Sequence, residues 1–201
     1  MRRVIDIVFS IVWLSITAPL MTLIALLIRI ESPGPILYTS HMVGQNGRVF
    51  SLLRFRTLST VMTDSGIQQR LTRAGALIRN TSLDHLPMLV NLLHGDLTLV
   101  GPRPMEIQVV ELTDPMWQQY FQVRPGVVNY AVLKLGKSWT PSRLSNPNLN
   151  QVLELDYYQK RSSMLDLQLF IQWLVAYITS RGNVKARGIP DPEAEHKSQD
   201  Q

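Results

Sequence analysis

The chain begins with an uncharged, mostly apolar run over residues 7–28, and this run constrains the fold more than any other feature. About 22 residues in a helix extend roughly 33 Å, enough to cross the hydrocarbon core of a bilayer. A soluble surface helix would be polar on one face, and a cleaved signal peptide has a shorter apolar stretch followed by a small-residue cleavage site. The run therefore predicts a helix embedded in a membrane.

A proline lies just past the middle of this run, at Pro19. Its ring removes a backbone hydrogen bond and crowds the preceding turn, so we expect a bend there. Nearby hydroxyls can bond to the freed carbonyls and make the break tolerable in lipid; they are Ser10, Ser15, Thr17 and Thr22. Basic residues flank both ends, which favours placing both on the cytoplasmic side. We predict a re-entrant helix–break–helix over 1–31, with a straight span as the alternative.

Residues 32–180 predict one further domain, and the overall class is α+β, mostly helical with a short β-hairpin. Strands over 36–40 and 49–57 flank Asn46-Gly47, which favours a tight turn. Residues 57–69 predict a loop or short helix, 97–100 a strand and 139–150 a loop. Further helices are predicted over 71–79, 82–94, 106–123 and 164–180. The last suits an amphipathic interfacial helix or, equally, a core helix, and the tail 181–201 is predicted to be disordered.

The charge balance and the absence of cysteine limit the ligands and catalytic groups that the chain can have. The 20 Lys and Arg against 15 Asp and Glu give a net charge of +5, which suits a phosphate-bearing ligand or an anionic membrane surface. The absence of cysteine excludes disulfides, thiolate metal sites and a cysteine nucleophile. The arginines accompany no aromatic stacking platform or nucleic-acid motif, so nucleic acid is not an expected partner.

The densest cluster of charged residues surrounds Asp84 and His85, and its basic members are Arg70, Arg73, Arg79 and Arg103. Ser82 is a good N-cap, which would place Asp84 and His85 in a first helical turn. Helix N-termini and arginine forks both bind phosphate. Asp84 can then act as a nucleophile towards phosphorus or merely complement the helix dipole, and the residues alone leave both open.

The segments 82–87 (Ser-Leu-Asp-His-Leu-Pro) and 95–104 (Gly-Asp-Leu-Thr-Leu-Val-Gly-Pro-Arg-Pro) resemble the bacterial sugar transferase family. These are monotopic polyprenyl-phosphate phosphoglycosyl transferases. The resemblance also includes Arg3 and Asp6, and it extends over segments 32–38, 54–57, 72–75, 124–126 and 155–158. Such a series of motifs in this order is far more specific than any one of them.

The resemblance implies a re-entrant helix in the inner leaflet of the bacterial plasma membrane, with the active site at the cytoplasmic face. It implies transfer of a sugar 1-phosphate from a UDP-sugar to undecaprenyl phosphate through a covalent aspartyl intermediate, which initiates surface polysaccharide or glycoconjugate assembly. Asp84 matches the nucleophile. Mg²⁺ is the implied cofactor, with Mn²⁺ as the alternative. Our hypothesis for its ligands is Asp84 together with Asp156 or Asp96. The candidate phosphate- and substrate-binding residues are Arg54, Arg56, Arg73, Arg79, Arg103 and Arg124.

The chain departs from the family at its catalytic Asp-Glu pair, which here reads Asp84-His85. Imidazole is a poorer Mg²⁺ ligand than a carboxylate, so His85 would act as a base or as a ligand. Arg54 replaces a lysine, Met88 replaces a glutamine, and residues 127–132 depart from the usual pattern. Two hypotheses follow: a divergent transferase, or a non-catalytic member that serves as a structural or regulatory subunit, bound to another membrane complex or to a polyprenol lipid. A homodimer or a membrane-complex partner is compatible with either hypothesis. The sequence does not specify the sugar.

Overall fold

The structure, a computed structural model, describes residues 2–63, 66–130, 133 and 147–179. In chain order come α1 (Arg2–Glu31), β1 (Leu37–Val43), β2 (Val49–Phe55), β3 (Leu58–Thr63), β4 (Gly66–Leu71), α2 (Arg73–Asn80) and α3 (Met88–His94). They are followed by β5 (Thr98–Val100), β6 (Met105–Glu106), α4 (Pro115–Tyr120), β7 (Gly126–Val128), α5 (Pro147–Lys160) and α6 (Ser163–Thr179). The predicted mixture of helices and strands is confirmed.

The predicted hairpin is confirmed as β1 and β2, which pair antiparallel with Val43 opposite Val49. Its turn uses positive φ at Asn46 (58°) and Gly47 (77°), as the Asn-Gly pair predicts. Strand β6 pairs with the other edge of β1, and β5 pairs in parallel with β7. A second hairpin, β3–β4, occupies most of the stretch predicted as a loop or short helix, so that prediction is wrong. Its composition is polar, but threonine and valine favour extended pairing.

Helix α1 is continuous through Pro19. The division into two half-helices is therefore not seen, and a bend at Pro19 stays a prediction. The four hydroxyls do bond to the backbone, each to the carbonyl four residues earlier: Ser10 to Asp6, Ser15 to Ile11, Thr17 to Trp13 and Thr22 to Ala18. The carbonyl that loses its usual donor to Pro19 is that of Ser15, and none of the four reaches it. By length and composition, α1 is the one helix in the described part of the chain that can cross a membrane.

One face of α1 packs on the rest of the protein, along a stripe formed by Asp6, Ser10, Thr17, Ile24 and Ile28. Spacings of four and seven residues place such side chains on one side of a helix. The other side exposes large apolar residues along its whole length, among them Val4, Val8, Ile16, Leu23 and Ile30. In the C-terminal half, Ile24 and Ile28 form a core cluster with Phe55 of β2 and Ile78 of α2.

Polar contacts fix both ends of α1 to the same domain. Near its start, the Arg3 guanidinium donates to the carbonyls of Leu92 and Leu93 at the end of α3. The buried Asp6 carboxylate accepts from the Thr98 hydroxyl and the Leu99 amide of β5. At the other end, the Glu31 carboxylate accepts from the first two amides of α2, at 2.6 and 2.8 Å.

The remaining helix predictions have mixed outcomes. Helix α2 is confirmed, with the Thr72 hydroxyl accepting from the Gly75 amide at its start, and α6 is confirmed over Ser163–Thr179. The helix predicted over 106–123 is wrong except for α4, because Asp114 and Pro115 begin a new helix there. The predicted loop over 139–150 is wrong for residues 147–150, which belong to α5. Residues 139–146 and the tail 181–201 lie outside the described residues.

Candidate functional site

The helix predicted over 82–94 is divided in two, and Asp84 and His85 lie before the division. Leu83–His85 forms a 3₁₀ turn, and α3 begins only at Met88. Pro87 lacks the N–H that would continue an α-helix from the first segment. Ser82 has left-handed geometry (φ 58°), and its side chain makes no capping hydrogen bond. The predicted N-cap is therefore wrong, and Asp84 does not occupy the first turn of an α-helix. The predicted end at Gly95 is confirmed.

Asp84 is a buried carboxylate with an unused acceptor. The residue is 8% exposed, and its Oδ1 atom has no hydrogen-bond partner among the described residues. Its Oδ2 atom lies 3.7 Å from Nε2 of His85, whose side chain is 49% exposed. Because an unsatisfied buried oxygen destabilises a fold by about 1–3 kcal/mol, such an atom is a candidate for a functional group.

Three arginines from separate elements act electrostatically on His85: Arg54 in β2, Arg79 at the end of α2, and Arg103 after β5. We call Arg54, Arg79 and Arg103 the arginine trio. Desolvation lowers the pKa of His85, and the positive charges of the trio lower it further, against the opposing effect of Asp84. His85 is therefore a neutral imidazole at pH 7.

The wall behind Arg103 contains a residue that the sequence reasoning missed. Glu154 of α5 is 2% exposed, and its negative charge acts on both Arg103 and Tyr120. The Tyr120 hydroxyl donates to the Arg103 carbonyl at 2.7 Å. Burial lowers the pKa of Arg103, while Tyr120 and Glu154 oppose this decrease. The signal in the sequence was a glutamate between two leucines, immediately before the segment 155–158 that carries the resemblance.

Other predicted arginines make different contacts. The Arg56 guanidinium donates to the carbonyls of Ser32 and Pro33, where the chain leaves α1. Arg73 begins α2, where its backbone amide donates to Glu31, at the opposite end of the helix from Arg79. Arg70 is an exposed residue of β4. The structure therefore brings Arg54, Arg79 and Arg103 to the site and places these three elsewhere.

Arg124 and Asp96 line a second, polar cleft of about 200 Å³, together with Gly44, Gln45, Asn46, Arg48, Phe50 and Gly95. The Arg124 Nε atom donates to Gln45 at 3.1 Å, and Asp96 accepts from Asn91. Phe50 and Arg54 are four residues apart in β2, or about 13 Å of extended strand. The cleft and Asp84 thus lie towards opposite ends of β2.

The loop that carries Arg103 is positioned by a close contact between two backbones. A Cβ atom on Gly126 would lie 2.1 Å from the amide nitrogen of Gly101, so the two backbones are too close for a side chain at this contact. The Gly101 amide donates to the Val128 carbonyl, and the Gly126 amide donates to the Pro102 carbonyl. Glycine at both positions therefore allows the segment after β5, which carries Arg103, to lie close to β7.

The donor set around Asp84 does not fit a resident Mg²⁺ ion, which prefers six oxygen ligands. Within the described ranges, no group of three or more His, Asp or Glu side chains comes together. Asp156, the second candidate ligand, accepts from Lys160 at 2.5 Å and from the Tyr130 hydroxyl at 2.8 Å. The groups that accompany Asp84 are therefore the His85 imidazole and the three guanidinium groups that act on that ring.

Comparison with known proteins identifies the family. The family model described as "Bacterial sugar transferase" matches residues 1–180. This chain belongs to the bacterial sugar transferase family. The resemblance carried by the motifs is confirmed, and it covers α1, the arginine trio and the Asp84-His85 pair together.

Several relatives are similar over most of the chain. The undecaprenyl-phosphate glucose phosphotransferase of Komagataeibacter xylinus is 33% identical over 90% of this chain, which spans 36% of that protein. The exopolysaccharide production protein PSS of Rhizobium leguminosarum bv. phaseoli is 31% identical over 89% of the chain and 96% of its own length. A UDP-glucose:undecaprenyl-phosphate glucose-1-phosphate transferase of Caulobacter vibrioides is 31% identical, with 89% and 70% covered. The chain thus spans about a third of the first relative and nearly all of the second.

Proposed function

We propose that this protein transfers a sugar 1-phosphate from a UDP-sugar to undecaprenyl phosphate, the first step of surface polysaccharide or glycoconjugate assembly. The observation that carries the proposal is the buried oxygen of Asp84, which has no hydrogen-bond partner among the described residues and lies next to the histidine on which the arginine trio acts. A nucleophile towards phosphorus needs a free lone pair and nearby positive charge to stabilise the phosphoryl oxygens. The names of the relatives from Komagataeibacter and Caulobacter describe the same class of reaction.

The chemistry takes place in two displacements at one phosphorus atom. The Asp84 carboxylate attacks the phosphorus that carries the sugar, the bond to the bridging oxygen breaks, and UMP leaves with the electron pair. An oxygen of undecaprenyl phosphate then attacks the same phosphorus, and the aspartyl–phosphorus bond breaks to regenerate Asp84. The product is a sugar diphospholipid. The arginine trio supports both steps through charge-assisted hydrogen bonds to the phosphoryl oxygens.

His85 replaces a carboxylate with a neutral ring beside the nucleophile. A neutral imidazole does not repel an incoming phosphate as a second carboxylate would, and it can accept the acceptor's phosphate proton as the attack occurs. The 3.7 Å separation between its Nε2 atom and the Asp84 carboxylate supports this role. We assign His85 the role of a base, at a position that is held by a carboxylate in the family pattern.

The membrane proposal places α1 in one leaflet at the cytoplasmic face. Arg3 and Asp6 bond the start of α1 to the domain, and Glu31 bonds its end to the same domain. A polar domain held at both ends of a 30-residue helix would have to enter the hydrocarbon core if the helix crossed straight through. The exposed apolar side of α1 then faces lipid, and α6 contributes a neighbouring apolar face through the contact between Phe9 and Phe170.

This topology is testable because the chain has no native cysteine. Single cysteines at Arg2 and Pro35 are labelled in right-side-out and inverted membrane vesicles with an impermeant maleimide. A re-entrant helix makes both residues reactive from the cytoplasmic side. Labelling from opposite sides would show instead that α1 crosses the bilayer.

Purified protein with undecaprenyl phosphate and a panel of UDP-sugars tests the reaction. We expect UMP release that is lost in Asp84→Asn. The alternative, a non-catalytic subunit, is not favoured by relatives named as transferases. It would be supported if wild type released no UMP and His85→Glu did.

A further inference from the structure

The charges around Asp84 are unevenly balanced. The charges that act on the His85 ring are one carboxylate, Asp84, and three guanidinium groups, and the ring itself contributes no negative charge. Within the described residues, the Nε donor of Arg54 is buried without a hydrogen-bond partner, as is the Oδ1 acceptor of Asp84. The site therefore contains an unused cationic donor as well as an unused carboxylate oxygen.

The other carboxylates near the site have different partners. Glu154 acts on Arg103 and Tyr120 from the side of α5. Asp156 bonds to Lys160 and Tyr130, and Asp96 lies in the second cleft. A dication next to Asp84 would thus be attracted by one carboxylate and repelled by the three guanidinium groups that already act on the adjacent His85, and repulsion between like charges raises the free energy of binding.

We propose that the arginine trio, rather than a divalent cation held by the protein, neutralises the diphosphate of the donor nucleotide at this site. The inference rests on the proposed function, and it deepens it by naming the group that binds the phosphates. Arginine presents a planar fork of N–H donors that matches phosphate oxygens bidentately. The three guanidiniums come from three separate elements, β2, α2 and the segment after β5.

The side chain at position 85 decides whether binding of the diphosphate needs a divalent cation. With histidine, the site has three positive groups for one carboxylate, and an anion binds without added metal. In His85→Glu, a second carboxylate adjoins Asp84, and two hard oxygen donors now favour Mg²⁺. The wild type and this single variant should therefore differ in how Mg²⁺ affects nucleotide binding.

The test measures UDP binding by calorimetry to the full chain in lipid nanodiscs, with either EDTA or Mg²⁺ in excess. For wild type we expect dissociation constants that agree within about two-fold between the two conditions, and for His85→Glu at least about ten-fold tighter binding in Mg²⁺. Arg79→Gln should weaken binding in both conditions, whereas Arg70→Gln, on exposed β4, should leave it unchanged. Thermal unfolding of each variant establishes that it is folded.

The result that overturns the inference is UDP binding by wild type that requires Mg²⁺, or no UDP binding in either condition. The outcome for the proposed function is read separately, as UMP release from UDP-sugars. A wild-type protein that binds UDP equally in EDTA and Mg²⁺ but releases no UMP would refute the transferase and still support arginine-based binding. Release of UMP together with strictly Mg²⁺-dependent UDP binding would support the transferase and refute arginine-based binding.

Discussion

The Oδ2 atom of Asp84 lies 3.7 Å from the Nε2 atom of His85, and the other oxygen of the same carboxylate has no hydrogen-bond partner among the described residues. The pair thus combines a buried anion with a neutral ring, next to positive charge. Burying a carboxylate without full hydrogen bonding destabilises a protein. This arrangement therefore lowers the free energy of unfolding and leaves a carboxylate oxygen available for reaction.

Asp84→Asn should therefore separate activity from stability. We expect UMP release to fall on the order of 10⁴-fold or more, because the proposed nucleophile is removed. The melting temperature should not decrease, since a buried carboxylate oxygen without a hydrogen-bond partner among the described residues is replaced by a neutral amide. Asp114→Ala is the opposite control: it removes the α4 cap, at a cost of about 1 kcal/mol, and should leave turnover unchanged. A large drop in the melting temperature of Asp84→Asn would show that Asp84 is a structural anion.

The pKa of His85 predicts how stability depends on pH. Desolvation and the arginine trio lower that pKa below its usual value of about 6.5, so the unfolded chain binds a proton more readily than the native protein. The stability contributed by the neutral ring is full above pH 6.5 and decreases as the pH falls from there towards the lowered pKa. His85→Gln cannot take up this proton, so its thermal unfolding should be less sensitive to pH between 7 and 5. Equal slopes for variant and wild type would contradict the assignment.

Local signals predicted the parts of the fold that depend on a few neighbouring residues. Asn46-Gly47 indicated the β1–β2 turn, and Thr72 indicated the start of α2, because each acts within three or four residues. Pro87 is a local signal of the same kind. Because it lacks an N–H, it divides the helix predicted over 82–94. The β3–β4 hairpin was missed because pairing between strands, not composition, stabilises polar extended segments.

The site was predictable in its residues but not in its assembly. Asp84 and the arginines stand out in the sequence, yet nothing in their spacing separates the arginine trio from Arg56 and Arg73. The separation depends on tertiary contacts, such as the carbonyls of Ser32 and Pro33 that bind Arg56. Glu154 was missed because it reaches Arg103 from α5, about fifty residues away in the chain, and sequence patterns do not report such distances.

Glu154→Gln should reduce kcat/KM for the UDP-sugar by about ten-fold, less than expected for removing a catalytic donor outright. The buried carboxylate offsets the desolvation of Arg103 and its repulsion by Arg54, so its loss leaves the guanidinium less well positioned. Glu106→Gln is a matched control, because Glu106 also acts on Arg103 but is exposed and should change kcat/KM by less than about two-fold. Steady-state kinetics of both variants provide the measurement. Equal effects in the two would indicate that burial of Glu154 is irrelevant to the site.

Asp6→Ala tests the attachment of α1 to the domain. The substitution leaves the Thr98 hydroxyl and the Leu99 amide without their acceptor, which should lower the free energy of unfolding by about 1–3 kcal/mol. Asp6→Asn, the matched control, keeps one acceptor oxygen and should lose less. Chemical denaturation in detergent micelles measures both variants. The start of α1 should also become more accessible to protease in Asp6→Ala, because it loses its hydrogen bonds to β5 and keeps only the contacts of Arg2 with Asp166 and of Arg3 with the end of α3 among those described. An Asp6→Ala variant as stable as wild type would mean that the carboxylate does not hold the helix, and that the apolar contacts of Ile24 and Ile28 suffice.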